Sequence, residues 1–141
     1  MADTKSLKGT KTEKNLANAF VAETTAYARY TYFAQSAEKE SYFQYANIFN
    51  ETAANELRHA KIFLKYLTNG PVVTDPVSVD PGILSPTVEN LKVASAEEEK
   101  EGVEQYTESA KVADEEGFAD IAEVFRAIAA IENHHKERFD L

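Results

Sequence analysis

The sequence predicts an all-α fold, an antiparallel four-helix bundle with one long crossover between its second and third helices. Three observations lead there. All four prolines, Pro71, Pro76, Pro81 and Pro86, fall in one stretch of the 141-residue chain. On either side run proline-free segments rich in Ala, Glu, Lys and Leu, residues that favour helix. Each segment is too long for one compact helix and contains one natural break.

The first helix is expected over about 12–39, ending near Lys39-Glu40-Ser41. Ser41 is expected to N-cap a second helix over about 41–68, because its hydroxyl can accept an orphan backbone N–H. Asn69-Gly70-Pro71 opens a crossover over about 69–86, and Ser85-Pro86-Thr87 closes it. Proline lacks an amide donor and clashes with the preceding turn, so this segment is not helical. The third helix is expected over about 87–115, stopped by Gly117, which suits a left-handed C-cap. The fourth runs over about 118–140. A connector of roughly 17 residues reaches at most ~55–60 Å, enough to run the length of such a bundle. The two halves then read as pseudo-repeats of one helical hairpin, within a single domain over 1–141.

Composition excludes several functions. The net charge is -9, from 24 acidic and 15 basic residues. Nucleic-acid binding needs a basic footprint and is not expected. There is no cysteine, so thiolate catalysis, zinc ribbons and cysteine-held iron–sulfur clusters are excluded within these residues. No apolar run is long enough to span a membrane, and Met1–Gly9 does not resemble a signal peptide. A cytoplasmic setting is expected on those grounds.

The three histidines are His59, His134 and His135. Two end a Glu-x-x-His unit, Glu56-Leu57-Arg58-His59 and Glu132-Asn133-His134-His135. Residues three apart share a helix face, so each unit presents a carboxylate and an imidazole together. Glu23 lies 33 residues before Glu56, and Glu98 lies 34 before Glu132. Each half therefore offers a lone glutamate on its first helix and a Glu-x-x-His on its second. This constellation is the ligand set of ferritin-like di-iron and di-manganese proteins.

The carboxylates also interrupt apolar stripes. Ala19, Phe20, Glu23, Tyr27 and Tyr30 share one stripe, and Phe49, Thr52, Glu56, His59, Ala60 and Phe63 another. Ile121, Phe125, Ile128, Glu132, His135 and Phe139 form a third. A buried carboxylate is costly unless it is paired or binds metal. In the third helix, Leu91, Ala94, Glu98, Glu101, Gln105 and Val112 lie roughly on one face. Periodicity favours Glu101 there and leaves Glu97 and Glu98 competing. His134 reads as a surface residue. Tyr27, Tyr30, Tyr45 and Tyr106 read as core packing.

From Ser6-Leu7-Lys8-Gly9-Thr10-Lys11-Thr12-Glu13-Lys14-Asn15 onward, the sequence resembles rubrerythrin. The likeness includes Ala19-Phe20 with Glu23, Arg29-Tyr30-x-Tyr32-Phe33, Glu56-x-x-His59-Ala60, Asn90-Leu91, Val124-Phe125, Ile128-Ala129, Glu132-x-x-His135 and Arg138-Phe139. The resemblance implies Glu23, Glu56, His59, Glu98, Glu101, Glu132 and His135 as metal ligands, and so prefers Glu98 to Glu97. It implies catalytic roles for Glu101, His59 and Tyr106, with Tyr106 placed near the metals. It implies two iron ions, with manganese or an iron/zinc pair as variants, and a peroxidase that reduces hydrogen peroxide to water. Typical rubrerythrins carry a C-terminal rubredoxin domain. This cysteine-free chain is similar instead to the short, sulerythrin-like members. An external donor such as a rubredoxin-like protein is then expected, with a homodimer that can exchange helices. Glu56 and Glu132 are expected to bridge the metals, with Glu23 and Glu98 terminal. The rival readings are ferritin-like ferrous oxidation and storage, or a metal-binding bundle without turnover.

Overall fold

The computed structural model describes residues 6–79, 81 and 86–140. All regular structure among them is helical, in the order α1 (Lys11–Lys39), α2 (Phe43–Leu64), α3 (Thr87–Glu97), a π-helical turn (Glu98–Glu104), α4 (Gln105–Glu115) and α5 (Ala119–Phe139). The backbone stays right-handed helical at Glu98, Glu104 and Gln105, so α3, the π turn and α4 form one continuous third helix. With α1, α2 and α5 it makes a four-helix bundle. None of the described helices is long and apolar enough to cross a membrane. Residues 1–5, 80, 82–85 and 141, including part of the expected crossover, lie outside the described residues.

The helix ends follow local chemistry. Thr10 caps α1, its hydroxyl oxygen accepting the Glu13 N–H at 3.0 Å. Ser41 does not cap α2. It sits at φ 64 as the residue that ends α1. Its N–H reaches the Glu38 carbonyl at 3.0 Å, and the Tyr42 N–H reaches the Ala37 carbonyl at 2.8 Å. This pair of back-turned bonds satisfies carbonyls the helix would otherwise leave open. Gly117, at φ 87, ends the third helix in the same way through Asp114 and Ala113. The expectation for Ser41 fails because the turn needs a left-handed residue there, and Tyr42 takes the N-cap position without a side-chain bond. α2 stops at Leu64, four residues short of expectation. Tyr66 and Leu67 bond to the carbonyls of Phe63 and Leu64, three residues back, and so tighten the last turn.

The two hairpins are tied together by reciprocal carboxylates. Glu40, at the end of α1, accepts the Thr87 N–H at 2.8 Å and its hydroxyl at 2.6 Å at the start of α3. Glu116, at the end of α4, accepts the Thr12 N–H at 2.7 Å and the Lys11 N–H at 3.2 Å at the start of α1. Each places a negative charge where a helix dipole is positive. The crossover is pinned to α1: Asp75 pairs with Lys14 at 2.6 Å and exchanges hydrogen bonds with Asn18 at 3.0 and 2.9 Å.

The core is split into two apolar clusters. One gathers Leu16, Phe63, Tyr106, Phe125 and their neighbours; the other gathers Tyr30, Phe33, Phe49, Leu91 and Phe139. Fully burying one such side chain stabilises by about 1.5–3 kcal/mol. Between the two clusters lies a layer of buried carboxylates and imidazoles.

Candidate metal centre

Four helices supply that layer. α1 contributes Glu23, α2 contributes Glu56 and His59, the π turn opens with Glu98, and α5 contributes Glu132 and His135. All six are 5% exposed or less. Their ligand atoms form two groups, one of Glu23, Glu56, His59 and Glu132, the other of Glu56, Glu98, Glu132 and His135. Within each group the atoms lie within 4.8 Å of one another. Glu56 and Glu132 belong to both.

The distances are nearly two-fold symmetric. His59 Nδ1 lies 3.0 Å from Glu132, 3.6 Å from Glu23 and 3.9 Å from Glu56. His135 Nδ1 lies 3.0 Å from Glu56 and 3.6 Å from both Glu98 and Glu132. The imidazoles face each other with ring centres 6.2 Å apart.

Buried tyrosines brace the carboxylates from the opposite hairpin. The Tyr30 hydroxyl donates to Glu98 at 2.9 Å, and the Tyr106 hydroxyl donates to Glu23 at 2.9 Å. Burial, helped by the nearby carboxylates, pushes both hydroxyls well above their ordinary range and keeps them protonated as donors. The Asn55 amide lies 3.1 Å from His135 Nε2, with Arg58 bonded to its oxygen. Such outer partners orient an imidazole so that its other nitrogen faces a metal.

The donor set suits metal ions. Glu23 Oε2, Glu56 Oε1, Glu98 Oε2 and His135 Nδ1 are buried with no hydrogen-bond partner. The Glu56–His135 approach at 3.0 Å is therefore too poorly aligned to be a hydrogen bond. Atoms that converge without bonding one another are arranged for something between them. Burial raises the carboxyl groups of Glu23, Glu56 and Glu98 above the usual range. Burial also pushes on Glu132, but the neighbouring Glu98, His135 and His59 outweigh it and hold that carboxylate well below the range. For His59, burial disfavours the charge, yet Glu132 and Glu23 prevail and move it up to about 9. Without metal, the cluster holds itself together with protons that metal ions would displace. Carboxylate and imidazole donors suit iron or manganese.

Glu97 is turned aside from this group and lies 3.8 Å from the Arg29 guanidinium. The side chain of Glu101 lies outside the described residues; its backbone is in the π turn. His134 is exposed. Tyr27 is 37% exposed, so it leaves the inward stripe, which continues through Ala26 and Tyr30. Gln105 and Val112 do not join the buried face of the third helix; Gly102, Tyr106, Ser109 and Ala113 do. The π turn explains the change of face. Thr87, Leu91, Ala94 and Glu98 repeat Thr12, Leu16, Ala19 and Glu23 at a distance of 75 residues. Tyr106, Ala110, Ala113 and Glu116 repeat Tyr30, Ala34, Ala37 and Glu40 at 76. One extra residue enters between Glu98 and Tyr106, and a wider turn absorbs it. Gly102 lies in that turn, where a Cβ atom would stand 2.5 Å from Cβ of Glu132. Reading Tyr30 as core packing missed its bond to Glu98. The signal was available, since Tyr30 and Tyr106 occupy matching places in the two halves.

Comparison with known proteins agrees with the geometry. The rubrerythrin family model matches residues 14–141. The rubrerythrin of Porphyromonas gingivalis is 47% identical over 135 residues, covering 96% of this chain and 67% of that protein. The rubrerythrin of Nitratidesulfovibrio vulgaris is 43% identical over 136 residues, covering 96% and 70%. The chain thus spans about two thirds of the length of these relatives. A solved structure of nigerythrin in a mixed-valence state is similar with a TM-score of 0.77 at 31% identity, covering 99% of this chain and 68% of that one. A Desulfovibrio desulfuricans bacterioferritin shares the fold with a TM-score of 0.66 at 22% identity, covering 92% of this chain and 80% of that one. The matches run through the same helices that carry the doubled cluster of glutamates and histidines, and the chain belongs to the rubrerythrin family of di-iron proteins.

Proposed function

We propose that this protein is a non-haem di-iron peroxidase that reduces hydrogen peroxide to water. The observation that carries the reading is the pair of four-residue ligand groups sharing Glu56 and Glu132. Two adjoining sites can hold two ions close enough to engage both oxygens of one peroxide. Two ferrous ions held there would supply two electrons, which with two protons would convert one peroxide into two waters. Glu56 and Glu132 would hold both ions, Glu23 with His59 would complete one site, and Glu98 with His135 would complete the other. Tyr106 and Tyr30 hold the terminal carboxylates Glu23 and Glu98 in place. Glu101 adds a fifth carboxylate, one more than balances a diferrous pair. On that charge balance and the family likeness, Glu101 serves the oxidised state and neutral His59 the reduced one.

Electrons come from a rubredoxin-type centre outside these 141 residues, which contain no cysteine to hold one; the likeness to short, sulerythrin-like members favours a separate donor protein. Iron is the metal favoured by the family, with manganese or an iron/zinc pair as variants. The protein works in the cytoplasm as a homodimer, whose helices can be exchanged between copies. Leu57 and Leu64, each 48% exposed and seven residues apart on α2, support a surface for a second copy.

Anaerobic ferrous loading followed by peroxide titration tests the reading. Oxidation should end at one peroxide per two irons, and repeat once a chemical reductant is added. Glu101→Ala should keep both irons and slow the reaction. Iron that is oxidised by oxygen but not by peroxide, in a protein of cage-like mass by light scattering, would favour storage instead. Loaded protein that consumes no oxidant would favour the inert bundle.

A further inference from the structure

Two cavities lie beside the cluster, on neighbouring stretches of wall. The outer one, about 280 Å³, lies between α1 and the third helix and is flanked by the crossover. Asn15, Asn18, Thr25, Gln105 and Ser109 give it polar walls, and Asp75–Ser78 form its edge. The inner one, about 20 Å³, is lined by Glu23, Glu56, Glu98 and Glu132. Ala22, Arg29 and Tyr106 line both. The inner space holds little more than one water molecule. It is kept open where the facing residues are small, at Ala22 and Ala26 of α1 and at Gly102.

We infer that hydrogen peroxide reaches the metal cluster through this passage, and that the throat at Ala22, Arg29 and Tyr106 selects small polar oxidants over organic hydroperoxides. The inference rests on the peroxidase reading. Three features support it. The two cavities share Ala22, Arg29 and Tyr106 in their walls, so they lie on either side of the same few side chains. The throat is polar: the Arg29 guanidinium, 9% exposed, stands there with Glu97 at 3.8 Å, and Tyr106 offers a hydroxyl already aimed at Glu23. The inner space, about 20 Å³, is too small for a branched tert-butyl group. In the apolar clusters above and below the carboxylates, Phe63, Phe125, Phe49 and Phe139 are 4% exposed or less.

Ala22 is partly exposed and supplies none of the ligand atoms, so it can be enlarged without touching the cluster. Ala22→Val and Ala22→Leu form a graded series. Loaded anaerobically, both should retain two irons per chain. The second-order rate of oxidation by hydrogen peroxide should fall with side-chain size, by roughly tenfold or more for Leu. Azide association with the oxidised, iron-loaded protein, followed by its absorption band, should slow in the same order. This second readout needs no peroxide chemistry. If the parent ignores peroxide but azide slows across the series, the peroxidase reading fails and the passage stands. If Ala22→Leu does not load iron, the Val variant carries the comparison. Unchanged rates for both probes in loaded variants would overturn the passage. Tert-butyl hydroperoxide reacting with the parent as fast as hydrogen peroxide would overturn the selection by size.

Discussion

The two hairpins of this protein are near copies, and they differ most where the chemistry is expected. In one apolar cluster Phe63 packs on Tyr106 and Phe125 with ring centres 5.4 and 5.3 Å apart. In the other, Phe139 packs on Tyr30 and Phe49 at 5.4 and 5.3 Å. Each tyrosine reaches the lone glutamate of the opposite hairpin at the same distance, 2.9 Å. The repeat then fails by one residue, in the π turn over Glu98–Glu104. α1 passes the same level as unbroken helix with Ala26, whereas the third helix widens and brings Gly102 against Glu132. Symmetry builds a pair of matched sites, and the single inserted residue makes one side of that pair different.

The strongest way to break the comparison is to remove a shared carboxylate. Glu56→Ala should abolish at least one of two bound irons, because Glu56 serves both groups. Metal analysis after ferrous loading reads this directly; two tightly held irons in the variant would show that the groups do not share it. Symmetry demands a similar loss for Glu132→Ala.

The braces come next. Tyr30→Phe and Tyr106→Phe each remove one hydroxyl from one terminal glutamate, and loss of such an outer partner typically costs about 10–100-fold in metal affinity or activity. The two variants should lose metal affinity to a similar degree in a competitive chelator titration. A large difference would mean that the halves are equivalent in shape but not in energy.

The pH response separates the cluster from the rest of the molecule. Glu23, Glu56, Glu98 and His59 are all raised in the folded, metal-free state. Their protonated forms favour folding, so this stability is present at low pH and lost as pH rises through the raised values. For His59 the loss falls between its ordinary value, 6.5, and about 9. Glu132 is shifted the other way and is ionised in both states across that window. The metal-free protein should therefore melt at lower temperature as pH rises from mildly acid to mildly alkaline. Iron-loaded protein should lack this slope in the same thermal melts.

The smallest effect concerns the two hairpin turns. Ser41 and Gly117 both have positive φ. Ser41→Gly should stabilise, and Gly117→Ala should destabilise, each by about 1 kcal/mol. Denaturant unfolding of the iron-loaded protein would measure both; equal and opposite signs are the expected outcome.

These turns also mark how far the sequence could be read. The clustered prolines and the spacing of the two Glu-x-x-His units were enough for the bundle, because helix-breaking and i, i+3 geometry are local. Ser41 misled because its residue type suits an N-cap while its backbone is fixed by how α1 must end. The face of the third helix was misjudged at Gln105 and Val112 because the periodicity assumed an unbroken α-helix. The distances of 33 and 34 residues between the paired glutamates already contained that extra residue. Which turn absorbs it is decided by packing of Gly102 on Glu132, a contact between helices that no local pattern encodes. Tyr30 needed the same non-local view, since its partner lies 68 residues away.

In the proposed centre, two matched hairpins hold two metals through shared carboxylates. The most direct test is electron paramagnetic resonance of protein loaded with two ferrous ions and then oxidised with one equivalent of peroxide. Ferric ions bridged by Glu56 and Glu132 should couple and give no signal of isolated high-spin iron. An intense signal of isolated ferric iron, accounting for all the metal bound, would contradict the account.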